Sequence, residues 1–311
     1  MINRRAFFKY FVLLGAGVTA VPLLKAFSPN IVLDTIPSLV KNDTFTLWQI
    51  PLLQTQAQGN SYVFRTKNGK VVVMDGGDQK EAGYLRGFLG SLGNKVEAWF
   101  ISHPHLDHIG AFNEILKKTD GLIIKAVYHS ELSPEFYEKV EPHYRDSTAE
   151  FYRNLKVSGI PVTDVTKPGM VIEIDGTTFK ILAVKDESIT VNAYNNSSMV
   201  IRVEDTTRSV LFLADAGVEA GNRLLNGPFS FELTCDFLQM AHHGQNGVSL
   251  DFYRAIKFDA CLWPTPKWLW DNDAGKGYNT GEWETIIVRN LMNELGIKRH
   301  FISWQGLCIV A

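Results

Sequence analysis

Ser102-His103-Pro104-His105-Leu106-Asp107-His108 is the stretch on which the reading of this chain turns. Four side chains that can hold a metal fall within six positions, directly after the apolar run Val96-Glu97-Ala98-Trp99-Phe100-Ile101. That run predicts a buried strand. His103 and His105 are two apart, so an extended backbone sends both imidazoles to one side. Asp107 and His108 follow where the chain must turn into a helix. One strand end therefore offers two nitrogens to one cation, and an oxygen and a nitrogen to a second one beside it, a donor set that suits zinc or a similar borderline metal. The alternative is a histidine-rich turn without metal, which the recurrence of ligand-type residues at later strand ends disfavours.

Working outward, strands are expected over Thr44–Leu53, Ser61–Thr66 and Lys70–Met74, the last two joined by Asn68-Gly69, a tight-turn pair. A helix near Lys80–Leu92, the strand before the histidine cluster, a helix over Ile109–Lys118 and a strand over Leu122–Tyr128 come next. The second half repeats the rhythm. Strands Val171–Ile174 and Thr178–Leu182 flank Asp175-Gly176, and Met199–Val203 with Ser209–Leu213 make another pair. Asp236–Met240, Ala260–Trp263, Arg299–Ser303 and Leu307–Val310 complete the strands, with helices near Leu250–Ile256 and Trp283–Leu295. Two sheets with helices on their outer faces satisfy this α/β order.

His103-x-His105-x-Asp107-His108 resembles the signature of the metallo-β-lactamase fold superfamily, and the likeness extends over about residues 44–311. The resemblance implies a four-layer αββα sandwich, which periodicity alone would not have singled out. It also implies two divalent metal ions. His103 and His105 would serve the first, Asp107 and His108 the second. Asp215, in Leu211-Phe212-Leu213-Ala214-Asp215-Ala216-Gly217, looks like the carboxylate that bridges the two, and His242, in Met240-Ala241-His242-His243-Gly244, like the final ligand of the second. Asp75, in Val71-Val72-Val73-Met74-Asp75-Gly76-Gly77, looks like the aspartate that precedes the metal motif, and reads as a hydrogen-bonding residue behind the ligands. Asn195-Asn196-Ser197-Ser198-Met199-Val200 and the His-His-Gly segment are similar to the branch that includes the metallohydrolase domain of DNA-uptake (competence) proteins.

The chain departs from that pattern in three places. The middle motif, which in most of the superfamily supplies a third histidine to the first metal, holds Asn195, Asn196, Ser197 and Ser198. The first metal would then rest on His103, His105 and Asp215, with an asparagine oxygen or water. Gln245-Asn246-Gly247 stands where the competence branch carries a serine-rich run, and Tyr278-Asn279-Thr280 where it carries a late histidine-proline. Two alternatives stay open from the residues themselves. Asp215 sits at a strand-to-helix switch and could cap the following helix. His243 would point away from His242 on an extended backbone, behind the ligands or toward substrate, or could be the ligand in its place.

The expected chemistry is hydrolysis, with water activated by the metal pair and Asp107 as catalytic residue. A phosphoester or related ester is the leading substrate class. A β-lactam or other amide hydrolase and a metal-poor, non-catalytic cell-envelope binding protein are the alternatives. Zinc follows from the ligand types, whereas manganese or iron would tolerate a site with fewer nitrogens. No glycine loop of the kind that cradles phosphate suggests a nucleotide cofactor. The formal charge is −2, and the first thirty residues carry Arg4, Arg5, Lys9 and Lys25 with no acid, so the remainder is more acidic still. A small-molecule or cell-envelope substrate is expected; the competence-branch resemblance leaves nucleic acid open as a partner, but that balance gives no support for tight binding of it. Three cysteines, Cys235, Cys261 and Cys308, read as free thiols rather than a disulfide framework.

Residues 1–29 read as a targeting segment. Asn3-Arg4-Arg5-Ala6-Phe7-Phe8-Lys9 matches the twin-arginine export pattern, and an uncharged stretch from Tyr10 to Leu24 follows, short for a membrane span. Pro29 just after Ala26-Phe27-Ser28 makes cleavage there awkward, so an uncleaved membrane anchor is the second reading. The expected location is the periplasm or cell surface, with membrane contact only through this segment. Residues 30–43 read as a linker to a hydrolase domain over 44–311. Two stretches look like insertions. Residues 131–160 predict a helix from Ser133-Pro134-Glu135, and a second one opened by a Ser147-x-x-Glu150 capping box. This aromatic pair either packs on the sandwich or covers the site as a lid. Residues 264–282 form a long loop rich in aromatic and polar residues, which either lines the site or packs on the surface.

Overall fold

The computed structural model describes residues 45–53 and 57–310. The targeting segment, the linker and Thr44 of the first expected strand lie outside them. Strands Val71–Met74 and Lys95–Phe100 run parallel at the centre of one sheet, continued by Val127–His129 and Val162–Asp164. Thr46–Gln49 and Tyr62–Arg65 extend it antiparallel, and Cys308–Ile309 returns from the end of the chain to pair with Thr46–Gln49. In the second sheet Ser209–Phe212, Phe237–Gln239, Ala260–Trp263 and Arg299–Ile302 are parallel neighbours. Val200–Glu204, Thr177–Ala183 and Val171–Ile174 continue it antiparallel.

Alternation along the strands builds the layers. Val72 and Met74 join Phe64, Phe100, Phe179 and Phe212 in a core between the sheets, where Phe64 meets Phe179 and Phe212 edge-on. Val71 and Val73 face the other way, with Trp99, onto helices Ala82–Ser91, Leu106–Lys117 and Arg145–Val157 through Leu85, Leu89, Ile109, Phe112 and Phe151. On the second sheet Leu211, Leu238, Cys261 and Trp263 meet helices Val218–Asn226, Leu250–Ala255 and Thr285–Glu294. Three apolar clusters between four layers make an αββα sandwich, and strands buried on both faces read as unbroken apolar runs for that reason.

Several local expectations need correction. Leu122–Tyr128 is not one strand: Ile123–Ile124 and Val127–His129 pair separately with Lys95–Phe100. The capping box at Ser147 does not form. The helix begins at Arg145, and Ser147 Oγ donates to the Tyr144 carbonyl from inside its first turn. Ser133 does cap the preceding helix Pro134–Val140, accepting from Phe136 N. The short strand Val162–Asp164 and the one-turn helix Ala193–Asn196 are too short to carry a readable period, and helix Val218–Asn226 is amphipathic but lay outside the sequence reading. All three cysteines are free.

Parallel strands place the loops at their carboxyl ends on one side, where ligands gather in α/β sheets. Asp75, Ser102–His108, Asp215, His242–His243 and Pro264–Thr265 each follow directly on such a strand.

Candidate metal centre

His103 stands three residues after the strand Lys95–Phe100, and His105 is the last extended residue before helix Leu106–Lys117. Their facing nitrogens, His103 Nε2 and His105 Nδ1, are 3.0 Å apart. Asp107 and His108 lie in the first helical turn, and the carboxylate of Asp107 is favourably placed there by the helix dipole. Asp215 arrives from the second sheet. Gln239 holds the end of its strand by accepting from Ala214 N and donating to the Ala214 carbonyl, and Ser198 Oγ accepts from Asp215 N. Asp215 Oδ1 is 3.2 Å from His108 Nε2, and Asp215 Oδ2 is 4.0 Å from His103 Nε2. Two ligand sets result: His103, His105 and Asp215, and Asp107, His108, Asp215 and His243.

Of the two adjacent histidines, His243, left open as the ligand from sequence, is the one that joins the second group. His243, fully buried, places Nε2 at 2.8 Å from Asp107 Oδ2 and 3.3 Å from Asp215 Oδ2. His242 stands outside that four-residue set, with Nε2 at 3.9 Å from Asp215 Oδ2. The reason is the backbone. His242 and His243 both take left-handed conformations, φ 49° and 57°, so the rule that neighbours oppose on a strand does not apply. Gly244 extends the left-handed run at φ +78°, and a Cβ there would stand 2.5 Å from the Trp263 ring. Pro264 and Thr265 brace the turn from the next strand end: the Pro264 carbonyl accepts from His243 Nδ1, and Thr265 Oγ1 donates to the His243 carbonyl.

Asp75 lies behind the cluster. Its Oδ1 accepts from Ser102 N, and its Oδ2 accepts from Asn60 Nδ2, Ser102 Oγ and His108 Nδ1. Asp215 is not a helix cap. Asn196 takes that task from a distance, accepting from Ala220 N while its amide donates to Val191 O and Glu219 Oε2. Both amide hydrogens of Asn196 and its oxygen are thereby engaged within the chain. Asn195 Nδ2 donates to Asn192 Oδ1 and faces His242 Nε2, and its Oδ1 is buried without a hydrogen bond. His129 packs beside Phe151 and Tyr152, His143 against Tyr144 and His300 against Trp263, away from both sets.

Every cluster histidine has its remote nitrogen engaged. Ser102 Oγ is 3.1 Å from His103 Nδ1, Glu141 Oε2 is 3.1 Å from His105 Nε2, and Asp75 holds His108 Nδ1. The facing nitrogens of His108 and His243, with Asp215 Oδ1, are buried and make no hydrogen bond of proper geometry. Buried polar atoms are rarely left so. Imidazoles fixed from behind with lone pairs converging on carboxylates are the arrangement that divalent cations require. The residues therefore fit a metal pair. Without metal, burial opposes charge on His243, yet Asp215 and Asp107 push its pKa up to about 10. Burial likewise opposes charge on His108, but Asp215 and Asp75 hold its pKa well above the ordinary value. Burial and the neighbouring His108 and His105 hold His103 well below it.

A superfamily model, described as the metallo-beta-lactamase superfamily, matches residues 55–259. The chain belongs to the metallo-beta-lactamase superfamily. No curated protein matches it by sequence. Among solved structures, this superfamily member is similar to the metallo-beta-lactamase fold protein YhfI from Bacillus subtilis. The identity is 12% and the TM-score 0.51, over 86% of this chain and 100% of YhfI. It is also similar to CmlA, a diiron beta-hydroxylase from Streptomyces venezuelae, at 12% identity and a TM-score of 0.54. That match covers 86% of this chain and 54% of CmlA, so the chain spans about half the length of that enzyme. At such identity the likeness is one of fold.

Sequence reasoning missed Ser102, Gln239, Thr265 and above all Glu141. Glu141 ends helix Pro134–Val140 and accepts from Tyr194 N as well as meeting His105. Tyr144 and Tyr194 pack their rings against His105. The helical insertion thus reaches the centre itself. Its acidic residue lies 36 positions from its partner, and no local pattern could have announced the pairing. The 264–282 stretch is knitted largely to itself: Asn272 donates to Asn279 and Gly281 and accepts from Trp283 N, and Trp268 meets Trp283 edge-on.

Proposed function

We propose that this chain is an exported, dinuclear-metal-dependent hydrolase acting on a phosphoester or related ester of a small molecule or cell-envelope component. The observation that carries the reading is the pair of ligand sets joined at Asp215 and open on one side. His103, His108, Asp215 and His243 have side chains 0–2% exposed, whereas His105, Asp107 and His242 are 12–21% exposed. Substrate would approach over those three. When bound, two divalent cations lower the pKa of coordinated water toward about 7 and neutralise charge growing on a substrate oxygen. The chain's own residues do the rest. Asp107, on the open side, can accept a hydrogen bond from the attacking water and orient it. Asp75 keeps His108 in the tautomer that offers Nε2, and Glu141 does the same for Nδ1 of His105. Tyr144 and Tyr194 shield His105 from solvent on one flank.

His108, together with the resemblance to the competence branch, supports a phosphoester over a β-lactam. Ligand type supports zinc. CmlA is a diiron enzyme, which is a reason to test iron and manganese alongside. The twin-arginine pattern at Arg4-Arg5 supports export to the periplasm or cell surface. A panel of chromogenic phosphodiesters, phosphomonoesters, lactones and a cephalosporin, run with each metal, tests the substrate class. Phosphoester turnover that disappears when His105 and Asp107 are both replaced by alanine is the expected result. Full activity in that double variant would contradict the reading, and lysines at positions 4 and 5 that left export unchanged would contradict the route.

A further inference from the structure

The second sheet ends early at one corner. Its last strand, Val171–Ile174, pairs with Thr177–Ala183 as far as Lys180, and Met170 and Gly169 continue the pairing to Ile181. Leu182, Ala183 and Val184 run on past that point. Between them and helix Val218–Asn226 lies a cavity of about 340 Å3, within the range of small-molecule sites, about 300–1,000 Å3. Leu182, Ile189 and Leu224 are buried in its walls, and Val184, Pro228 and Phe229 complete an apolar lining. Phe229 is held in position. The Lys180 ammonium lies 5.1 Å over its ring and is fixed there by Glu232 at 2.5 Å. On the other flank the ring meets Gly169, where a Cβ would stand 3.2 Å from Cζ. The walls are therefore formed before anything enters, which spares a ligand the cost of ordering them.

The polar lining divides in two. Asn196 and Ser198 are buried and have partners within the chain: Asn196 Oδ1 accepts from Ala220 N, and Ser198 Oγ accepts from Asp215 N. The charged groups are more accessible. Lys185, Arg223 and Asp186 line the cavity, two cations to one carboxylate. Asp186 pairs with Arg223, and Lys185 Nζ lies 3.2 Å from Glu187 Oε1. Both acids are shared with other donors. Asp186 Oδ1 accepts from Ser188 N and Oγ, and the Glu187 carboxylate accepts from Ser133 N and Oγ. The lining thus carries one net positive charge beside an apolar interior.

We propose that this cavity is a second binding site, which takes a small amphiphilic monoanion: an apolar chain with a single carboxylate. The chain enters among Leu182, Ile189, Leu224 and Phe229, and the carboxylate pairs with Lys185 and Arg223 through charge-assisted hydrogen bonds. The site shares a wall with the metal centre, since Ser198 lines the cavity and its Oγ also lies 3.4 Å from His103 Nδ1. None of the cavity's recognition groups is a metal ligand, so binding there does not depend on the dinuclear reading.

The test is calorimetric titration of the full chain, treated with chelator so that no metal competes for the carboxylate, with octanoate, octanol and acetate as probes. Octanoate should bind with one equivalent, at least about tenfold more tightly than octanol, which lacks the charge, or acetate, which lacks the chain. Ala220→Phe sets a ring into the cavity from the helix and should abolish octanoate binding. Lys185→Gln combined with Arg223→Gln should weaken octanoate about tenfold and leave octanol unchanged. Circular dichroism checks the fold of each variant, and the charge variant decides the result by itself if Ala220→Phe does not fold. No heat at millimolar octanoate would overturn the proposal. So would octanoate binding that survives in folded Ala220→Phe, or that is unchanged in the charge variant. Octanol or acetate bound as tightly as octanoate would overturn the assigned ligand class.

Discussion

At the residue scale, each imidazole has two jobs, one per nitrogen, and the remote one decides what the facing one can do. Glu141 holds Nε2 of His105, so removing its charge should loosen Nδ1 as a ligand. Glu141→Gln is expected to weaken binding of one metal roughly ten- to a hundredfold and leave the other unchanged, as read by chelator competition. Protons compete for the same lone pairs. In the metal-free protein His243, with its pKa at about 10, carries a proton at pH 7, and His108 is held well above its ordinary value. Metal must displace protons held there, so binding should release protons and weaken as pH falls. Calorimetry in buffers of different ionisation enthalpy checks this, and proton uptake or pH-independent affinity would refute it.

At the level of single elements, the turn after strand Phe237–Gln239 holds two adjacent non-glycine residues in left-handed backbone. Gly244 follows two left-handed histidines and lies against Trp263. Gly244→Ala meets both a positive φ and a 2.5 Å clash with the indole, and should cost about 2–4 kcal/mol in denaturant unfolding. A loss below roughly half a kcal/mol would mean that the turn is not held as described. The same turn shows where sequence reading stops. His103, His105, Asp107 and His108 are legible because one strand end and one helix start fix their directions within six positions. His242 and His243 are not, since their directions depend on a backbone conformation that only the contacts of Pro264, Thr265 and Trp263 select. Glu141 was hidden for a related reason: its partner is distant in the chain. The Ser147 box was misread because the Tyr144 carbonyl competes for the Ser147 hydroxyl.

Over the whole molecule, the sandwich exists to bring the ends of two sheets together. Apolar runs made the central strands legible, and their burial on both faces explains why. The one-turn helix Ala193–Asn196, with no such pattern, was not legible, although it carries the cap on which Val218–Asn226 depends. Ligands from both sheets meet at Asp215, so the metals bridge the two halves and should stabilise the fold. With free zinc at about a hundred times its Kd, linkage gives about 2.7 kcal/mol per site. Chelation should then lower Tm by roughly 5–10 °C per site lost, and the shift should vanish in the His105→Ala, Asp107→Ala double variant.

Anomalous diffraction from zinc-loaded crystals puts the central claim to its most direct trial. Two peaks about 3.5–4 Å apart are expected, one among His103, His105 and Asp215 and one among Asp107, His108, Asp215 and His243. A map with no peak touching Asp215, or with a single ion elsewhere on the molecule, would contradict the account.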